Sequence, residues 1–265
     1  MDCKLFERSG RSVRLTDDGQ LFYTYVEKSL DALDDGIGEL DRRRGKLSGI
    51  VRMGAIQSVR TAFMPEAVLA YRRTHGTLVD LQIDQGSTKE LLYNLRHGEN
   101  DLAITSEVKA DGFEFTPLFR LRLVCIVHKG HPLAARASVS VTDLADLPLY
   151  TYREDIIVGS EVNAFLERHG LDPRDLDLNR DSDDEMILGG LVSRAPVVGL
   201  CLDSSGLSPY PDLALIPFEE PDSVEFHPIG ILRVAGCRLD PATRDFFDFL
   251  LQFGRNYYET NSANV

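Results

Sequence analysis

Small hydroxyl and amide side chains recur at a set of places where a short apolar run gives way to a helical pattern. Gln57 and Ser58 follow the first such run, Ser87 and Thr88 the second, and Thr105 and Ser106 the third. Ser160, beside Gly159, stands at a fourth, later helix start. Hydroxyls so placed can donate to an anion such as a carboxylate, because helix N-termini also aim backbone N–H groups at the same point. They can equally serve as helix caps with no ligand at all, and the residues alone leave both roles open. Arg153 could add positive charge near the fourth start, although a solvated surface arginine explains it equally well. An acidic cluster, Asp181, Asp183, Asp184 and Glu185, would repel an anion if it faced inward, and it is expected to face solvent.

Other chemistry is weakly supported. His128 and His131 form HxxH in HKGHP, but Gly130 and Pro132 make this a loop without a third ligand nearby, so no metal site is expected. Cys3, Cys125, Cys201 and Cys237 are far apart, with no CxxC pair, and read as reduced thiols. No GxGxxG, Walker, GxSxG or HExxH pattern occurs, so neither an enzyme nor a bound cofactor is expected. The 42 acidic residues admit a carboxylate-pair hydrolase by composition only, since no spacing selects a pair.

Charge is unevenly distributed. Lys4, Arg8, Arg11 and Arg14 crowd the first fourteen residues against Asp2 and Glu7, while the rest of the chain carries 25 basic and 40 acidic side chains. A basic head on an acidic body suits contact with an anionic polymer at the head alone. No apolar run of about 18 residues exists to span a bilayer, and there is no export signal core, so a cytoplasmic protein is expected.

These residues need elements to hold them. Thr16 is a good N-cap, with Asp17 and Asp18 in the first turn, and the helix should reach about Arg44 and stop at Gly45. Val26, Leu30, Leu33, Ile37 and Leu40 step by four and three and draw a narrow seam. Such a seam must be buried, either on its own domain or against a second copy, and its heptad-like width favours a dimer helix. Gly36 and Gly38 allow either a bend or a close helix approach. Beyond Leu47, strands Ile50–Ile56, Leu78–Ile83 and Asp101–Thr105 alternate with helices Phe63–His75 and Thr88–His97, the signature of parallel βαβ units. Leu121–Val127 and Ala195–Leu202 are further apolar runs, Pro241–Phe253 is a last helix capped by Asp240, and Gly254–Val265 is expected to fray.

LFERSGRSVRLTDDG, residues 5–19, closely resembles the end of the winged helix-turn-helix of LysR-type transcriptional regulators. GIVRMGAI, FMPEAVLAYRR, GSTKELLYNLRHGENDLAI, HPLA and RLDPATRDFFDFL are similar to successive pieces of the same family's effector domain. The resemblance covers nearly the whole chain. It implies an α/β fold: a type 2 periplasmic-binding-protein-like effector domain of two Rossmann-like subdomains, preceded by a wing remnant and a long dimerisation helix. It divides the chain into a wing at 1–15, a linker helix at 16–46 and an effector domain at 47–265. Subdomain I then takes about 47–127 and 228–253, and subdomain II about 128–227.

The resemblance further implies partners: promoter DNA, an unknown small-molecule effector, and a dimer or tetramer of the chain itself. Arg8, Arg11 and Arg14 would contact phosphate, and Ser58 and Thr88 match positions lining the effector cleft. The recognition helix that reads bases would precede this chain, so sequence-specific DNA binding by the chain alone is not expected. A small-molecule binding module without DNA readout is the alternative. Two departures stand out. Ala195 and Pro196 occupy a usually glycine-rich turn expected near the cleft, and HGTLVDL lacks the usual proline between helix and strand.

Overall fold

The computed structural model describes residues 3–9 and 12–262. Strands β1 (Phe6–Ser9) and β2 (Ser12–Leu15) form a small antiparallel hairpin. Helix α1 (Asp17–Arg43) follows, with Thr16 Oγ1 accepting from the Gly19 amide at 3.0 Å. It ends where Gly45 takes φ +62°, a conformation L side chains rarely adopt. The helix is continuous through both glycines, and Gly38 marks a close approach: a Cβ there would lie 3.1 Å from the Cβ of Pro241.

The next stretch runs β3 (Gly49–Ala55), α2 (Gln57–Arg60), α3 (Phe63–His75), β4 (Val79–Gln85), α4 (Thr88–Arg96), β5 (Leu102–Ser106) and β6 (Phe113–Leu121). β3 pairs in parallel with β4 and β5, as expected of βαβ units. The chain then crosses into β7 (Leu123–His128), β8 (Leu149–Tyr152), α5 (Ile157–Arg168), β9 (Leu178–Ser182), α6 (Glu185–Val192), β10 (Val198–Leu202) and β11 (Leu213–Pro217). It returns in β12 (His227–Val234) and closes with α7 (Pro241–Ser262).

There are two five-stranded sheets, ordered β4-β3-β5-β12-β6 and β11-β7-β10-β8-β9. β12 is antiparallel to both neighbours in the first sheet, and β7 to both of its neighbours in the second, so each sheet is mixed rather than wholly parallel. The first crossover falls at Arg122, earlier than the expected boundary at 127. β7 is apolar on both faces and pairs with β10 and β11, which places it in the second subdomain. Continuous apolar runs carry no mark of which sheet they join, so the sequence could not assign it.

Each sheet has its own core. Phe63, Met53, Ile104, Ile231 and Phe246 anchor the first, and Ile126, Phe165, Leu188, Leu200 and Cys201 the second. α7 runs well past the expected end at Phe253. Phe253 and Tyr257 pack against Phe63, tilted and edge-on, at 5.6 and 5.1 Å between ring centres, and Gly254 passes over Leu118 where a Cβ would sit 3.0 Å from a methyl. Aromatic packing therefore holds a segment that looks polar in sequence. Among the described residues no helix is long and apolar enough to cross a membrane.

α1 lies along α7 through polar contacts. Arg42 pairs with Asp245, a carboxylate only 3% exposed, which also accepts from the Tyr71 hydroxyl at 2.6 Å. Arg238 pairs with Asp31 and Asp34. The apolar seam points elsewhere: Leu30, Leu33, Ile37 and Leu40 are exposed, Leu33 by 63%, and Val26 is half-buried.

Candidate functional site

Both sheets end their strands toward a common cleft of about 810 Å³. On the first side, β3 leads into Gln57 and Ser58, β4 into Ser87 and Thr88, and β5 ends at Ser106. On the second side β8 leads to Arg153, β10 ends at Leu202, and α6 begins at Glu185. Carboxyl ends of strands and helix starts converge there, as the topology of open α/β sheets dictates.

The centre of the site is Glu185, 1% exposed. The Tyr152 hydroxyl donates to its Oε1 at 2.6 Å. Ser58, from the opposite subdomain, donates to Oε1 and Oε2 at 3.1 and 3.2 Å, and Ser204 donates to Oε2 at 3.2 Å. Tyr152 Oη accepts the Leu202 amide at 2.8 Å, and Ser204 Oγ accepts the Gly206 amide at 3.2 Å, so the protons of both hydroxyls are directed onto the carboxylate. Burial raises the Glu185 pKa, opposed by the Tyr152, Ser58 and Ser204 hydrogen bonds that favour the charged form. The expectation that the acidic cluster faces solvent is corrected here. Asp181 and Asp183 are exposed, but Glu185 is the first residue of α6 and that position turns inward. Asp184 is the N-cap, accepting from the Ile187 amide at 2.8 Å, so its neighbour must enter the helix facing the strand ends.

The other expected ligand contacts divide. Gln57, Ser58, Ser87 and Thr88 line the cleft. Ser87 is fully engaged as a cap: its N–H and Oγ both donate to Glu90 Oε2 at 2.8 Å, and it accepts the Glu90 amide. Those bonds lower the Glu90 pKa, the Ser87 backbone N–H first. Thr105 does not reach the cleft; it is buried, and its hydroxyl meets that of Thr88 at 2.8 Å. Ser160 is also misplaced. It is exposed, donates to the Ile157 carbonyl at 2.8 Å, and sits one turn too far along α5. Gly159 is the residue that matters there, since a Cβ would fall 1.9 Å from the Arg153 carbonyl oxygen. Arg153 does border the cleft, held bidentate by Asp155 at 2.9 and 2.5 Å. His227, unmarked in sequence, is 1% exposed on the cleft wall; Ser106 Oγ lies 2.8 Å from its Nε2, and Glu161 meets its Nδ1.

Residues 44–255 match the family described as the LysR substrate binding domain. The chain belongs to the LysR family of transcriptional regulators. The transcriptional dual regulator GltC of Bacillus subtilis (strain 168) is 26% identical over 256 residues, covering 96% of this chain and 83% of GltC. The effector binding domain of QuiR, solved in complex with shikimate, superposes with a TM-score of 0.70 at 24% identity, covering 80% of this chain and 99% of that one. Full-length BenM superposes at 0.67 with 22% identity, covering 98% of this chain and 83% of BenM. These two structures agree in fold.

In this LysR regulator the family-atypical turn at Ala195 and Pro196 precedes β10 and does not line the cleft, which meets that strand at its other end, Leu202. His128 and His131 serve as local caps, accepting the Gly130 and Leu133 amides at 3.0 and 3.2 Å. Among the described residues no group of three His, Cys, Asp or Glu could hold a metal. On the hairpin Arg8 is exposed, and Arg14 pairs across the strands with Glu7 at 2.7 Å; Arg11 lies outside the described residues.

Proposed function

We propose that this regulator senses a small metabolite in the cleft between its two sheets, and that α1 joins it to a second copy while the β1–β2 hairpin meets DNA phosphate in the cytoplasm. One observation carries the cleft assignment: a space of about 810 Å³, within the range of small-molecule sites, bounded by strand ends and helix starts of both subdomains. QuiR and BenM effector domains solved with shikimate and with benzoate support a small organic ligand. The exposed seam of Leu30, Leu33, Ile37 and Leu40 supports pairing through α1. Exposed Arg8 and Arg14 support phosphate contact, which positions a protein without reading sequence.

The test is a thermal-shift screen of metabolites against the wild type and Val108→Trp. Val108 is a half-buried residue on the cleft wall, where the larger ring would occupy ligand space. A hit that stabilises the wild type and not the variant supports the reading. A hit that stabilises both equally places the ligand elsewhere.

A further inference from the structure

The cleft has the wrong complement of groups for a simple anion. Five carboxylates line it against two cations, Lys89 and Arg153. Arg153 is consumed by Asp155, and Lys89 is exposed to solvent. The cleft hydroxyls each have a partner within the protein, Thr88 with Thr105. Ser58 donates to Glu185, Ser87 donates to Glu90, and Ser106 is paired with His227. What remains is uncompensated charge. The donors to Glu185 are all neutral: the Tyr152, Ser58 and Ser204 hydroxyls and a backbone N–H. No cation pairs with Glu185 among the described residues. A buried carboxylate without a counter-ion is costly unless something supplies one. Independently, Gln57 Oε1, on the same cleft wall, is buried with no donor.

We propose that the effector carries a protonated amine, seated against the Glu185 carboxylate with Gln57 Oε1 as a second acceptor. The inference rests on the cleft being the effector site and names the chemical class that site selects. An ammonium brings three donors and no acceptor, so it supplies the positive charge that Glu185 lacks and a donor for Gln57 Oε1. A carboxylate seated in the same place would put two like charges in contact.

Thermal denaturation with matched probes tests this: benzylamine and cyclohexylamine against benzoate and cyclohexanecarboxylate, each at about 10 mM. An amine of millimolar affinity is expected to raise Tm by about 3 °C, and the carboxylates to leave it unchanged. Glu185→Gln is expected to weaken amine binding about tenfold or more. Where that variant proves too unstable, benzylamine against neutral benzyl alcohol on the wild type reads the same dependence on charge. Stabilisation by carboxylates alone overturns the inference and leaves the cleft reading standing. An amine shift that survives Glu185→Gln, or benzyl alcohol matching benzylamine, overturns it as well. No shift by any probe of either charge counts against the cleft reading and the inference together.

Discussion

Removing the Asp245 side chain is expected to destabilise the packing of α7 against α3 and α1, and its contacts have unequal weights. Tyr71 is fully buried and donates to Asp245 at 2.6 Å. Burial, then the bond to Asp245, pushes the Tyr71 phenol far above its ordinary pKa, so it remains the donor at any workable pH. A hydrogen bond to a charged acceptor contributes about 1.5–3 kcal/mol, and an orphaned buried hydroxyl costs about 1–3 kcal/mol. Arg42 reaches the same carboxylate, but its side chain is 41% exposed. Solvent screening limits that pair to about 0–1 kcal/mol. Asp245→Ala is therefore expected to cost about 3 kcal/mol, most of it through Tyr71. For a chain of this size that lowers Tm by about 6–12 °C. Chemical denaturation of Asp245→Ala, Tyr71→Phe, Arg42→Ala and the two double mutants separates the terms. The Asp245–Tyr71 coupling should be about 1.5–3 kcal/mol and the Asp245–Arg42 coupling under about 1 kcal/mol. A larger coupling to Arg42 than to Tyr71 would refute the ranking by burial.

Because burial raises the Glu185 pKa, the folded state holds that proton more tightly than the unfolded chain. Its contribution to stability is full below the ordinary glutamate value of 4.5 and is lost as pH rises from there through the raised folded value. The stability of the wild type relative to Glu185→Gln should fall across that window in urea titrations, and a flat or rising difference would contradict it. Leu33→Asp should shift sedimentation toward smaller species with an unchanged circular dichroism spectrum, since Leu33 is 63% exposed in the single chain; unchanged sedimentation would rule out pairing through this seam. Gly199→Ala should destabilise by about 1–3 kcal/mol through overpacking, because a Cβ there would lie 2.5 Å from Ile126 Cγ1 and 2.9 Å from Val192 Cγ2. A denaturation midpoint equal to wild type would show that the β7–β10 contact yields easily.

Local signals in the sequence located elements well where a cap and a period coincided. Thr16 begins α1, and Phe63–His75 is α3 to the residue. Asp240 caps α7 as expected, accepting the Ala242 and Thr243 amides at 2.9 and 3.2 Å. The far end of α7 was hidden, because Phe253 and Tyr257 are held by ring contacts with Phe63 across the fold rather than by local propensity. The strand-end rule selected Gln57, Ser58, Ser87 and Thr88, which line the cleft. It also selected Thr105 and Ser160, because spacing counts residues and does not fix the face on which a side chain emerges. Glu185 was misread for a sound physical reason: charged clusters are usually solvated, and burial of one member depends on Tyr152, Ser58 and Ser204, contributed from distant parts of the chain. The one local hint was Asp184 as a cap immediately before an apolar run.

The sheet order has a consequence for how the molecule is made. β12 lies between β5 and β6, and β6 has no other partner in its sheet. A ribosome working from the N-terminus therefore releases β6 long before the strand that must seat it. Meanwhile the second sheet draws all its strands from one uninterrupted stretch between Leu123 and Pro217. The half that begins later in the chain is thus the first that can be completed, while the edges of β5 and β6 stay open as sites for mispairing until Val234 emerges.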